Sequence, residues 1–148
     1  VTPLDAQALA ERAAQALYDP DRASQMLGMR ITAVAPGECT VTMTVRADMT
    51  NGHAICHGGL IFALADSAFA FACNSDGQAT VAANASIDFL APARLGDELA
   101  ATAREIWRRG RSGLFEAVVT NQAGERIALF RGRSHRLRPA LAGMGSGA

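Results

Sequence analysis

The chain has 148 residues, of which 49% are hydrophobic, enough for one domain with a substantial core. Its 14 basic and 14 acidic side chains leave no net charge. That balance removes the electrostatic case for nucleic acid as a partner.

The three cysteines, Cys39, Cys56 and Cys73, are odd in number and fit no zinc spacing. Neither a disulfide framework nor a metal site is expected, and a reducing cytoplasm is the default compartment. Nothing at the N-terminus reads as a targeting leader. The longest apolar run, broken by Asp66, is too short for a membrane span.

Residues 3–19 read as an amphipathic helix. Thr2 can cap it, Pro3 suits its first turn, and Leu9, Ala13, Ala16 and Leu17 recur on one face. Asp19 and Pro20 end it. Residues 21–27 add a turn of helix before Gly28. Residues 29–34 and 39–46 read as two strands of a hairpin turning at Pro36 and Gly37. In the second, Cys39, Val41, Met43 and Val45 alternate with Thr40, Thr42, Thr44 and Arg46.

Residues 60–74 have the length and spacing of a helix that is apolar nearly all round, which marks it as buried. Beyond the turn at Ser75, Asp76 and Gly77 the pattern switches to period two. Residues 79–90 place Val81, Ala83, Ala85, Ile87 and Phe89 on one face. Residues 99–108, 114–121 and 126–137 complete a set of four strands joined by short turns, which predicts an antiparallel meander. The predicted architecture is α+β: a curved antiparallel sheet of five to six strands around one central hydrophobic helix, a single domain over 1–137. The Gly-, Ala- and Pro-rich stretch 138–148 reads as a disordered tail.

Asp66 sits in the middle of the apolar helix. A lone buried carboxylate is expensive, so it needs a reason to be there. Gly58 and Gly59 open the helix and leave backbone N–H groups bare at its positive end, a seat for an anion or a developing oxyanion. A carboxylate and bare amides on one buried helix form a candidate catalytic apparatus. The plainer alternatives are a structural acid at Asp66 and ordinary helix-entry glycines. Cys56 precedes the helix N-terminus, a position that lowers a thiol pKa.

Several segments in order carry a family resemblance: Asn51 with His57, Gly58 and Gly59; Leu64 to Ala68 around Asp66; Cys73 to Ser75; Ile87 to Ala93; Gly96 and Asp97; and Ala128 to Arg136. Over roughly residues 25–137 the chain resembles the hotdog-fold acyl-CoA thioesterases, in particular the phenylacetate-degradation branch. The resemblance implies an acyl-CoA thioesterase acting on phenylacetyl-CoA or hydroxyphenylacetyl-CoA, with no cofactor beyond the CoA of the substrate. By it, Asp66 is the catalytic carboxylate and Gly58 N–H the oxyanion-hole donor, while Asn51 and His57 shape the same pocket. A Ser or Thr that assists in some relatives falls near Ala82 here, with Asn84 and Ser86 as the neighbouring alternatives.

Gly59 and Phe89 are further substrate contacts, with Phe62 and Phe69 as other aryl candidates. Arg133, Ser134, His135 and Arg136, with Arg94, are candidates for the CoA phosphates. Strand alternation places Arg133 and His135 on one face, Ser134 and Arg136 on the other. Two rival functions are a hotdog hydratase or dehydratase, disfavoured because no histidine follows Asp66 at short spacing, and a non-catalytic acyl-CoA sensor, disfavoured because residues 1–25 cannot hold a DNA-binding module.

Gly58 and Asp66 stand eight residues apart, roughly 12 Å along one helix at about 1.5 Å per residue. One thioester cannot meet both. The spacing predicts a homodimer in which Asp66 of one subunit faces Gly58 of the other, and the family resemblance adds a homotetramer built as a dimer of dimers.

Overall fold

A computed structural model describes residues 2–138; the tail expected at 138–148 lies almost wholly outside that range. The elements are α1 (Pro3–Tyr18), α2 (Arg22–Met26), β1 (Arg30–Ala35), β2 (Glu38–Thr44), α3 (Gly58–Cys73), β3 (Thr80–Phe89), β4 (Glu98–Arg109), β5 (Ser112–Thr120) and β6 (Arg126–Arg136). A six-stranded antiparallel sheet runs in the order β1-β2-β4-β5-β6-β3 and wraps around α3. This is the α+β arrangement expected of a hotdog fold.

Period-two patterning gives the sheet its inner face. Cys39, Val41 and Met43 of β2, Leu99, Ala101 and Ala103 of β4, and Phe115, Ala117 and Val119 of β5 are all buried. Each buries its apolar surface against α3, which contributes Ile61, Leu64, Ala65, Ala68, Phe69 and Phe71. Phe69 is central. Its ring centroid lies 5.4 Å from that of Phe115 and 5.7 Å from that of Phe130. It lies so close to β6 that a Cβ on Gly132 would meet the Phe69 ring at 2.7 Å.

Two expectations are corrected. The first concerns the meander, which holds only for β4-β5-β6. β3 pairs with β6, from Thr80 opposite Arg136 to Phe89 opposite Ala128. The turn after β3 is therefore a crossover rather than a hairpin. Its backbone is spent on the loops beside β2: Cys56 N donates to Ala93 O, and Gly96 N and Val45 O bond at 2.9 Å. β3 itself has a bulge between Ala82 and Asn84, so Ala85, Ile87 and Phe89 share one face but Val81 falls on the other.

The second correction concerns α1. Thr2 caps it as expected, accepting from Asp5 N at 3.2 Å. The residues it buries, however, are Ala10 and Ala14. The stripe of Leu9, Ala13, Ala16 and Leu17 instead lines an open groove facing the start of β3. Small alanines let α1 lie close, and Gln7 Nε2 ties it to Val34 O of β1 at 2.8 Å.

The outer face of the sheet carries Thr40, Thr42, Thr102, Val118 and Leu129, half-buried or at the border of exposure. Among the described residues, no helix is long and apolar enough to cross a membrane.

The close approach at Phe69 makes a prediction. Gly132→Ala drives a methyl into a ring that is nearly fully buried and packed on both sides. The expected loss is about 1–3 kcal/mol, read as a lower urea midpoint with unchanged slope. An unchanged midpoint would mean that the Phe69 ring moves aside without cost.

Candidate active site

The local sequence explains why α3 starts where it does. The segment 51–57 folds back on itself: Asn51 N donates to Ile55 O at 2.8 Å, and His57 N to Met49 O at 2.8 Å. Asn51 Oδ1 accepts from His53 N and Ile55 N, at 2.9 and 3.4 Å. Ala54 sits at φ 59, a left-handed conformation that this turn requires. The Asn51 oxygen is therefore occupied in closing the loop, and its side-chain nitrogen is the group left to reach outward.

His57 is the N-cap of α3. Its Nδ1 accepts from Gly59 N at 2.9 Å, which fixes Nδ1 as an acceptor without a proton. Such a nitrogen is not available as a general base. The same bond uses up the Gly59 N–H, so Gly59 is not a free donor. Gly58 N–H makes no hydrogen bond to the protein and remains bare at the positive end of a helix of 16 residues. Glycine is needed there, because a Cβ would meet the Phe89 ring at 3.0 Å. Phe89, 53% exposed at the end of β3, thus flanks the bare amide.

Asp66 lies two turns further along α3. Its carboxylate has no hydrogen-bond partner among the described residues. Burial pushes its pKa above the ordinary carboxylate value. It opens on a cavity of about 360 Å³ whose walls are largely apolar: Leu17, Pro20, Phe69, Ala70, Val81 and Ala82. Of the three β3 positions suggested by the resemblance, Ala82 borders this cavity together with Thr80 and Val81, whereas Ser86 lies beside Asp88 and Arg131, away from it. No hydroxyl of β3 from 81 to 89 assists Asp66 within this subunit. Cys73 borders the same cavity, but burial pushes its thiol up to about 12. Burial also raises Cys56, against the expectation of a lowered pKa at the helix start. The apolar surroundings outweigh the helix dipole there.

The candidates on β6 divide. Ser134 is fully buried, its hydroxyl donating to Gly113 O, so it is withdrawn as a surface contact in this subunit. Arg136 is engaged with Asp76. Arg133 and His135 face outward, opposite Asn84 and Val81 of β3. All four lie at the far end of the strand pair from Phe89 and Gly58, and Arg94 sits in the crossover with its backbone N bound to Asp97.

A contact that patterning did not announce holds the carboxylate's neighbourhood. Ser67, next to Asp66, bonds the buried Ser24 hydroxyl at 2.9 Å, and Ser24 Oγ donates to Asp21 at 2.6 Å. This chain clamps the α1–α2 corner onto α3. A polar pair at Ser24 and Ser67, 43 residues apart in sequence, has no periodic signature.

A bare amide at a helix start, an unpartnered half-buried carboxylate and an adjoining apolar cavity suit acyl transfer to water. Residues 53–128 match the family described as the Thioesterase superfamily. The chain is 46% identical over 130 residues to acyl-coenzyme A thioesterase PaaI of Escherichia coli strain K12, covering 88% of this chain and 93% of that one. The structure of the E. coli PaaI protein from the phenylacetic acid degradation operon superposes with a TM-score of 0.89 at 45% identity, over 90% of this chain and 97% of that one. A Streptococcus mutans UA159 protein, smu.793, bound to acetyl CoA, superposes with a TM-score of 0.71 at 26% identity, over 74% and 88% of the two chains. The chain belongs to the thioesterase superfamily, in its hotdog-fold phenylacetate-degradation branch, and is a thioester hydrolase.

Two measurements check this geometry. His57→Ala removes the cap and should cost about 1 kcal/mol of stability, while His57→Asn, which keeps an acceptor, should recover most of it. Equal losses for both would mean that the cap is not what His57 contributes. The raised pKa of Asp66 carries a sign: the folded state holds this proton more tightly than the unfolded chain. Stability from it is complete below the ordinary aspartate value and is lost as pH rises through the raised one. Asp66→Asn should therefore melt a few degrees higher than wild type at neutral pH, at matched protein concentration, with the gap closing toward pH 3. A lower melting point for the variant at pH 7 would show that the carboxylate is stabilising and structural.

Proposed function

We propose that this protein hydrolyses the thioester of an arylacetyl-CoA, phenylacetyl-CoA or a hydroxylated form of it, at a site shared by two subunits. The observation that carries the reading is the unpartnered Asp66 carboxylate opening on a mostly apolar cavity of about 360 Å³. That volume lies within the range of small-molecule pockets, and its Phe69, Pro20 and Val81 walls suit an aryl ring. The E. coli relative, an acyl-coenzyme A thioesterase encoded in a phenylacetic acid degradation operon, supports the same substrate class.

The thioester oxygen accepts from Gly58 N–H, where helix dipole and bare amide stabilise the charge that builds as the carbonyl becomes tetrahedral. One such donor is worth about 3 kcal/mol. Asp66 supplies the attacking electron pair. It either adds to the carbonyl carbon and gives a mixed anhydride that water opens, or takes a proton from a water that adds directly. In both routes the C–S bond breaks, CoA leaves as its thiolate and picks up a proton. Single turnover in ¹⁸O water separates them, because the direct water route leaves no label in Asp66. The Asn51 side-chain nitrogen, not used in closing its loop, is the proposed donor to the water or the acyl oxygen. Arg133 and His135 are the outward-facing candidates for the CoA phosphates.

Both groups belong to α3, roughly 12 Å apart at about 1.5 Å per residue, so Gly58 of one subunit works with Asp66 of its partner. The exposed edge strand β3 and the uncovered outer face of the sheet support two kinds of contact: a dimer that forms the sites and a tetramer that pairs dimers through Thr- and Val-rich faces.

The test is thiol release from phenylacetyl-CoA, hydroxyphenylacetyl-CoA and octanoyl-CoA. Wild type should favour the aryl thioesters, and Asp66→Asn should lose about two decades or more in kcat. Unchanged turnover in Asp66→Asn would remove the carboxylate from the chemistry. Gly58→Ala keeps the amide N–H but sets a methyl against the Phe89 ring beside it, and should lower kcat by about ten-fold through misplacement of the thioester carbonyl.

A further inference from the structure

The cavity beside Asp66 does not end in the core. A second apolar cavity of about 590 Å³ runs along α1, between Leu9 and Ala13 of the helix and Gly77, Ala79 and Leu137 of the chain around β3. The two share Leu17, Asn74, Thr80 and Val81 as walls. Of these, Asn74 is committed: its side chain bonds Ala70 O, Thr80 O and Thr80 N and closes the turn after α3. Thr80 is buried, with its hydroxyl on Gln78 O. Val81 is held in the sheet opposite His135. Leu17, 38% exposed, and Val81, 45% exposed, both lie outside the buried core, but Val81 is paired in the sheet whereas Leu17 stands on a helix surface.

The backbone under Leu17 is fixed by hydrogen bonds on either side of it. Tyr18 Oη donates to Met29 O at 2.7 Å, and Gln25 Nε2 donates to the carbonyls of Tyr18 and Asp19 at 2.8 and 3.0 Å. The Ser24–Ser67 bond pins the same corner to α3 beside Asp66. Leu17 is thus a partly exposed side chain on a rigid post, bordering both the pocket and the groove. The groove is built by the apolar stripe of α1 that the core does not use.

We infer that Leu17 determines acyl-chain length: it closes the acyl pocket for aryl-sized groups, and the groove along α1 receives the alkyl tail of a longer acyl thioester when Leu17 is removed. The occupant is an unbranched alkyl chain entering from the Asp66 cavity, since the two cavities adjoin through shared walls and the lining of both is mostly apolar, with aromatic rings at the Asp66 end and aliphatic side chains along α1. From Leu17 to Leu9 the helix offers roughly 12 Å of apolar wall. The inference rests on the assignment of Asp66 to thioester hydrolysis.

The experiment measures kcat/KM for phenylacetyl-CoA, hexanoyl-CoA and decanoyl-CoA with wild type, Leu17→Ala and Leu17→Ala/Ala13→Phe. Leu17→Ala should raise the decanoyl to phenylacetyl ratio about ten-fold, the gain from burying roughly two more methylenes. Refilling the groove with Ala13→Phe should return the ratio to that of wild type. A ratio that stays within about two-fold of wild type in Leu17→Ala, or a gain that Ala13→Phe does not reverse, overturns the inference.

Calorimetric binding of decanoyl-CoA to Asp66→Asn, with and without Leu17→Ala, keeps the inference separate from the catalytic reading. If no thioester is hydrolysed by wild type, that reading fails. Tighter decanoyl-CoA binding in the Leu17→Ala form still upholds the gate, and equal binding rejects it.

Discussion

A rigid helix holds its residues at fixed spacing, and helix α3 is held on every side. The sheet packs its inner residues against Ile61, Leu64, Phe69 and Phe71, and Phe69 lies against Gly132 at a distance no side chain could share. The bare amide of Gly58 and the carboxylate of Asp66 cannot approach one another within a subunit, because the backbone between them is hydrogen-bonded turn by turn. Two consequences follow. The proposed site therefore needs two copies of the helix, and in one subunit the strand β3 and the outer face of the sheet are open to receive a second copy. β3 is exposed along most of its length, an unusual state for a strand rich in apolar residues.

Around this helix the chain divides its polar work. His57 satisfies one of the amides at the helix start and leaves the neighbouring one bare. Asn51 closes the preceding loop with its oxygen. Ser67 bonds outward to Ser24, so the residue beside Asp66 ties down the α1–α2 corner while Asp66 itself remains without a partner. A carboxylate kept from partners in partly apolar surroundings is a stronger base and nucleophile than a solvated one, and it lowers the stability of the fold at neutral pH. Strain of this kind belongs at a functional site.

Much of this was legible in the sequence. The all-round apolarity of residues 60–74 marked the central helix, alternation in 39–46 gave the inner face of β2, and the paired glycines before Asp66 marked a candidate site. The pairing of β3 was not legible. Pro92, Gly96 and Asp97 make a short turn in sequence, and short turns ordinarily join neighbours. Here the turn is bound by Val45 and Cys56 and carries the chain over to β4. The bulge at Ala82–Asn84 defeated simple alternation by moving Val81 to the other face. The stripe of α1 was legible as one apolar face, but that it lines a groove while Ala10 and Ala14 are buried was not, since periodicity reports a greasy face and not what covers it. Alternation separated Arg133 and His135 from Ser134 and Arg136, but the ion pairs of Arg136 with Asp76 and of Arg131 with Glu116 join residues distant in sequence and had no signature there.

The shared site is tested most directly by complementation. Asp66→Asn and Gly58→Val proteins, each with every site broken, are refolded together in equal amounts and assayed for thiol release. A mixed dimer regains one intact site, Gly58 of the first chain with Asp66 of the second, so random pairing should restore about a quarter of wild-type activity. A mixture as inactive as its two parents, with mixed dimers demonstrated by native mass spectrometry, would contradict a site built from two copies of α3.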